Sequence, residues 1–173
     1  MDDRELWDRI RGRDVNAFDA LYRECGSRLQ SFLKLLLGNH HAAEDVTQKT
    51  FASIWERPHG FDPERGTLRA YIFGAGRKRA AEWWRKQKPD AESATEAVEE
   101  CRVETQSLIG NAFMKLPVEQ RTVLWLREVE GRSYEELAKI FEIPEGTVRS
   151  RLFAARKALK QVWHAKPNGE EAS

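Results

Sequence analysis

The sequence predicts an all-α protein: two small helical domains joined by a flexible acidic linker, the second with a helix-turn-helix. Three features carry that expectation. Apolar residues recur at steps of three and four along most of the chain, and no run favours strands. The rhythm breaks once in mid-chain, at KPDAESATEAVEECRVE, which combines Pro89, small polar residues and a run of acids. Near the end, a short capped helix, a Pro-containing break and a basic helix follow one another. The expected boundaries are 1–88 for the first domain, 89–104 for the linker, 105–166 for the second domain and 167–173 for a frayed tail.

In the first domain, Phe18, Leu21, Tyr22, Cys25, Leu29, Phe32, Leu33 and Leu36 form the stripe of a long amphipathic helix, with Gly38 and Asn39 as its stop. Ala43, Val46, Thr47, Thr50, Phe51 and Ile54 repeat the period, with Trp55 beside them, and stop before Pro58 and Gly60. Thr67 is a fitting N-cap for a third helix marked by Leu68, Ile72, Ala75, Ala80 and Trp83. Gly74 and Gly76 interrupt it, each at about 1 kcal/mol relative to Ala.

In the second domain, Ile109, Ala112, Phe113 and Leu116 make a short stripe, and Pro117 suits the first turn of a helix running through Leu126. Gly131 is a natural stop. Ser133 and Glu136 form a capping box opening SYEELAKIF, and Glu142 to Pro144 breaks that helix before the basic one.

Composition narrows the function. The chain has 173 residues, 33% of them charged, and its longest apolar run, Phe32 to Gly38, contains Lys34 and is far too short for a bilayer. The acidic start MDDRELWDR lacks the pattern of a signal peptide, so a cytoplasmic protein without membrane insertion is expected. Cys25 and Cys101 stand far apart, as reduced thiols do, and the four His lack partners at zinc-ligand spacing. No nucleophile has an adjacent base and no phosphate loop is present, so neither an enzyme nor a bound cofactor or metal is expected.

The net charge of +1 conceals an asymmetry. Between Asp90 and Glu104 six acids face Arg102 alone, so the rest of the chain carries about +6. Two basic lobes account for it. In EIPEGTVRSRLFAARKALKQV, the residues Val148, Leu152, Ala155, Leu159 and Val162 share one helix face, which Leu137 and Ile140 can cover. The other face holds Arg149, Ser150, Phe153, Arg156, Lys157 and Lys160. Thr147 and Arg149 to Phe153, including Arg151, occupy the turns that meet base edges in such motifs, while Arg156 to Lys160 suit phosphates. An arginine fork fits the O6 and N7 acceptors of guanine.

The second cluster is GRKRAAEWWRKQK, where Arg77, Lys78, Arg79, Arg85, Lys86 and Lys88 surround Trp83 and Trp84. Rings for stacking and cations for the backbone are what a single strand needs. Adjacent tryptophans on a helix cannot both face outward, so Trp83 is assigned to the core and Trp84 remains open to either role.

These blocks, with DVNAFDALYRECGSRLQSFLKLLLG and AEDVTQKTFASIWERPHGFDPERGTLRAYIFGAGR in order before LPVEQRTVLWLREVEGRSYEELAKIFEIPEGTVRSRLFAARKAL, resemble the extracytoplasmic-function (ECF) sigma factors of bacteria. The resemblance implies a first domain that binds RNA polymerase core and the minus-10 promoter element, and a second that reads the minus-35 element. It places Asp45, Gln48, Thr50, Phe51 and Trp55 in the block that docks on the clamp helices of the polymerase's largest subunit, although Phe51 and Trp55 also lie on the apolar stripe. It assigns Arg77, Lys78, Arg79, Glu82, Trp84 and Arg85 to minus-10 reading, with HGFDPERGT as the loop for a flipped base, and implies an anti-sigma partner. The chain departs from common family residues at Lys78, Glu82 and Ala154. The acidic linker suits a path near the RNA exit or simple solvation. A dimeric helix-turn-helix repressor is the main competing reading, and it leaves AEDVTQKTF and the Trp83 region without a role.

Overall fold

The computed structural model describes residues 1–87 and 108–165. The expected linker at 89–104, Lys88, Cys101 and the tail at 167–173 lie outside the described residues. Among the described residues every regular element is a helix: α1 (Asp3–Arg11), α2 (Val15–Leu37), α3 (His40–Glu56), α4 (Leu68–Gln87), α5 (Leu108–Met114), α6 (Val118–Glu128), α7 (Tyr134–Phe141) and α8 (Glu145–His164). None of these helices is long and apolar enough to cross a membrane.

Side-chain caps set most helix starts. The Asp14 carboxylate accepts from the Asn16 and Ala17 N–H groups, the Asn39 carbonyl oxygen from Ala42, and the Thr67 hydroxyl from Ala70. Ser133 and Glu136 form the reciprocal capping box. Pro117 and Pro144 stand one residue before α6 and α8, rather than inside the first turn, where a missing N–H costs the helix nothing. Gly38 ends α2 in the left-handed conformation, φ 66°.

Helix α1 is an element the sequence reading did not isolate. Asp2 caps it, and Leu6, Trp7 and Ile10 turn inward at helical spacing. Trp7 packs edge-on against Phe61 and Tyr71, which ties α1 to the loop and helix that follow α3.

In the first lobe α2, α3 and α4 pack on one another, with Leu21, Leu29, Phe32 and Leu33 fully buried. In the second lobe α6, α7 and α8 pack around Leu124, Leu126, Leu137, Val148 and Leu152. The lobes are not held apart: α4 packs on α7 and α2 on α6, so that both contribute to one continuous apolar core. The Phe32 and Trp125 rings stack across the junction, centroids 6.3 Å apart. Arg121, 8% exposed, donates from Nε to the Leu35 carbonyl at 2.7 Å, giving one of the orphan carbonyls at the end of α2 a partner from the other lobe.

The two interrupting glycines of α4 differ in kind. A β-carbon on Gly76 would stand 2.7 Å from Leu29 Cδ1, whereas one on Gly74 would meet only the Ile140 Cα, at 3.9 Å. Gly76→Ala is therefore expected to destabilise by about 1 to 2 kcal/mol despite the better helix propensity of Ala. Gly74→Ala should stabilise by up to about 1 kcal/mol. Thermal melts of both variants check this, and a rise in Tm for both would contradict the close α2–α4 approach.

Candidate nucleic-acid interface

Helix α8 divides as its periodicity requires. Val148, Leu152 and Ala155 are fully buried, Leu159 and Val162 half-buried, and Arg149, Ser150, Arg156, Lys157 and Lys160 are exposed. Phe153 is 72% exposed, an apolar ring offered to solvent from the middle of the basic face. Thr147 is half-buried, as is Arg151, which turns toward Glu119 of α6 at 3.7 Å instead of projecting with Arg149.

Two residues that the sequence reading left out hold this face in place. Tyr134, the first residue of α7, lies between two guanidinium groups, with Arg127 4.9 Å and Arg149 5.4 Å from its ring centroid. Glu128 takes both Nε and Nη2 of Arg156, at 3.2 and 2.6 Å. That pairing is the main reason the Arg156 pKa is raised, with Tyr134 adding to it. Glu128 was legible as an acid one helix away, but only the fold brings it across a gap of 28 residues.

Helix α4 offers the second basic face. Ile72, Phe73, Gly76 and Ala80 are buried, while Lys78, Glu82, Trp84 and Arg85 are exposed and Arg79 is half-buried. Trp83 packs against the core and Trp84 is 37% exposed, which assigns the open residue of the pair to the surface. Trp84 lines a small groove against the second lobe, and a separate cavity of about 880 Å³ has walls that include Phe61, Tyr71, Lys78, Arg79 and Glu82 from the first lobe and Glu142 from the second. Burial pushes the Tyr71 hydroxyl above its ordinary pKa, so it is a neutral hydrogen-bonding group on that wall.

The junction of the lobes runs along this face. Arg77 donates from Nε to the Ile140 carbonyl at 2.7 Å and pairs with Glu142 at 3.0 Å, and Lys78 reaches the same carboxylate at 3.1 Å. The Thr67 hydroxyl donates to Glu136 Oε1 at 2.6 Å. Arg77 is thereby left with a side chain only 23% exposed.

The third group divides. Asp45 and Gln48 are exposed on α3, Asp45 paired with Lys49 at 2.8 Å. Thr50 and Phe51, expected in the same docking block, are 0% and 2% exposed. Thr50 turns its hydroxyl back to the Val46 carbonyl, and Phe51 packs against Phe18 and Tyr22, so both serve the core. Trp55 is half-buried, stacked near Phe18 and covered by the Arg13 guanidinium at 5.5 Å.

A helix-turn-helix lobe and a basic, tryptophan-bearing helix in the other lobe are the features of the class of nucleic-acid-binding proteins with two contact surfaces. Residues 21–89 match Sigma-70 region 2 and residues 106–159 match Sigma-70, region 4. The ECF RNA polymerase sigma factor RpoE of Cereibacter sphaeroides is 30% identical over 159 residues, covering 86% of this chain and 87% of that one. The RNA polymerase sigma-H factor of Pseudomonas aeruginosa is 28% identical over 181 residues, 92% and 93% of the two chains. The chain belongs to the ECF sigma factor family. Two solved structures share the fold at 24% identity: CnrH in complex with the cytosolic domain of CnrY, TM-score 0.73 over 95% of this chain and 98% of that one, and the sigma factor RpoE in complex with the anti-sigma factor NepR from Bartonella quintana, TM-score 0.69 over 88% and 99%.

Glu136 serves the α7 cap and the lobe junction at once. Burial alone would raise its pKa, but the Thr67 hydroxyl, the Ser133 N–H and Arg132 outweigh burial and hold it below the ordinary 4.5. A depressed folded-state pKa contributes stability above the unfolded value, lost as pH falls through the folded one. Glu136→Ala is expected to cost about 1 to 2 kcal/mol near neutral pH. Glu136→Gln should keep part of the cap and flatten the acid side of the stability profile below about pH 4.5. Denaturant titrations across pH check both, and an unchanged acid limb in Glu136→Gln would contradict the assignment.

Proposed function

We propose that this ECF sigma factor binds RNA polymerase core and directs it to promoters by reading a minus-10 element with α4 and a minus-35 element with α8. The observation that carries this reading is the presence of two unlike basic faces in one chain. One is a helix-turn-helix face suited to a duplex, and the other is a face with an exposed tryptophan and a neighbouring cavity, suited to an unstacked strand. Transcription initiation needs both, because a duplex site must be found and a nearby segment opened.

The first domain, proposed as 1–88, docks on the clamp helices of the largest polymerase subunit through Asp45, Gln48 and the accessible edge of Trp55. Arg79, Trp84 and Arg85 engage the displaced strand together with Arg77, Lys78 and Glu82. The second domain, proposed as 105–166, sets Arg149, Ser150 and Phe153 against minus-35 base edges, and Arg156, Lys157 and Lys160 against phosphates. The sigma factor works on the polymerase's chemistry in the cytoplasm and supplies no catalytic group of its own. An anti-sigma partner regulates it, a reading supported by the similar RpoE of Bartonella quintana, solved in complex with the anti-sigma factor NepR.

Transcription from a minus-35/minus-10 promoter by purified core is expected to require this chain, and tight core-independent binding to a palindrome would refute the reading. Arg149→Ala should cost about 1 to 3 kcal/mol on a matched minus-35 site and relax one base position. Lys160→Ala should weaken matched and scrambled sites alike and lower the salt slope by about one. Equal losses on both sites for Arg149→Ala, measured by anisotropy titration, would place Arg149 on phosphate instead.

A further inference from the structure

Only two non-glycine residues among the described ones have positive φ, Arg13 at 64° and Glu142 at 54°. Both sit where glycine is the default, because a β-carbon is disfavoured in the left-handed region. Each side chain reaches another element. Arg13 donates to the Trp55 and Glu56 carbonyls that end α3, so its role is a cap. Glu142 sits at the C-cap of α7, in the turn of the helix-turn-helix, where its own N–H already closes the helix onto Ala138. Its carboxylate does nothing for that turn. It crosses the lobe junction and splits between two cations, Oε2 to Arg77 at 3.0 Å and Oε1 to Lys78 at 3.1 Å.

Those two cations stand on the face of α4 proposed for the minus-10 strand. A two-oxygen anion bridging adjacent basic side chains is the arrangement a backbone phosphate would make there. The neighbouring Ile140 carbonyl takes the Arg77 Nε–H at 2.7 Å, and Glu142 also forms part of the cavity wall. The Glu142 carboxyl is held below the ordinary carboxylate range by Lys78 first and then Arg77, so the anion is present throughout the physiological range. On α8, Arg149, Ser150 and Phe153 remain exposed, and the carboxylates that meet Arg151 and Arg156, Glu119 and Glu128, belong to the same lobe, so they do not tie that face to the other lobe.

We propose that Glu142 is an internal clasp, a carboxylate of the second lobe that occupies the phosphate position on Arg77 and Lys78. It holds the minus-10 face closed while leaving the minus-35 face of the same molecule open. The inference rests on the assignment of α4 to minus-10 reading. It makes the free chain asymmetric in binding: duplex recognition is available at once, and single-strand recognition requires the lobes to part at this turn. The apparent affinity for the strand is then reduced by the fraction of molecules that are open.

The test uses the full chain, a labelled single strand carrying the minus-10 element, a scrambled strand of the same length, and a minus-35 duplex. Glu142→Gln keeps the side-chain shape without the charge, and Glu142→Gly also relieves the left-handed backbone, so one variant folds at least as readily as the parent. Both are expected to bind the minus-10 strand about 5-fold or more tightly than the parent, with duplex affinity unchanged. Unchanged or weaker strand binding in both variants overturns the clasp, and so does an equal gain on strand, scrambled strand and duplex, which marks a general charge effect. Arg79→Ala with Arg85→Ala in the Glu142→Gln background separates the premise from the proposal. Loss of strand binding there supports the α4 assignment, so that a failed gain at Glu142 refutes the clasp alone. No loss refutes the assignment and the clasp together.

Discussion

Helix α4 is held so close to α2 that Gly76 has no room for a methyl group beside Leu29. That approach fixes which side of α4 is interior, since Ile72, Phe73, Gly76 and Ala80 follow one another along the contact and all are buried. With that side consumed, Lys78, Glu82 and Arg85 face solvent, Arg79 is half-buried, and Arg77 and Trp84 turn toward the second lobe. A helix with this many cations would be a poor core element by composition. It becomes one because Gly76 and Ala80 let a narrow apolar strip with Ile72 and Phe73 approach α2 closely, where dispersion contacts are strongest. The basic surface is thus the other side of a packing decision.

The second consequence is the lobe junction. Once α4 is seated on α2, the ends of both helices present Leu36, Ala81 and Trp84 to the second lobe, beside Phe141 and Ile143 around a smaller groove. Phe32 and Trp125 supply apolar continuity across the junction, while Arg121, Arg77 and Glu136 supply directional bonds to the opposite lobe. Arg121 differs from the others. A nearly buried guanidinium that donates to the Leu35, Met114 and Leu116 carbonyls is costly to strand, so the α2–α6 side of the junction resists opening. The ties at Arg77 and Lys78 lie nearer solvent, where ion pairs contribute about 0 to 1 kcal/mol each. Opening along α4–α7 with α2–α6 as the more persistent contact is the motion this difference favours.

The helical layout was largely legible in the sequence because its signals are local. The stripe from Phe18 to Leu36, the Gly38 stop, the Thr67 cap and the Ser133–Glu136 box depend on neighbours within a few turns, and each appears as read. Helix α1 was legible too, through Asp2, Leu6, Trp7 and Ile10, although nine residues span only about two and a half turns and give a short stripe. Periodicity identifies an apolar face without saying what covers it, and so could not separate Thr50 and Phe51, which are core, from Asp45 and Gln48, which are surface. Nor could it show that the lobes meet. One signal was present: Arg121 stands three residues from both Val118 and Leu124, inside an apolar stripe, where a charge calls for a buried partner. Glu142 and Tyr134 gave no such sign, since their roles depend on residues brought near only by the fold.

Several cations assigned to nucleic acid are met in this structure by carboxylates: Arg77 and Lys78 by Glu142, Arg151 by Glu119, Arg156 by Glu128. Under the proposed function, binding DNA would therefore be in part an exchange of one anion for another, and only the difference between the two would contribute to affinity. A carboxylate is a weaker acceptor set than a phosphate with its neighbours along a backbone, and these pairs are partly exposed, so each exchange is modestly favourable. Salt acts on both sides of the exchange. It screens the protein–DNA contact and also loosens the internal pair, so an exchanged cation adds less to the salt dependence than a free one. On the proposed reading, Lys157 and Lys160, exposed toward the far end of α8, would retain the larger dependence, whereas Arg149, set over the Tyr134 ring, would give up a ring contact instead of an ion. Under the proposed assignments, selectivity and salt sensitivity would reside on different residues of one helix, separated by what each cation touches in the free chain.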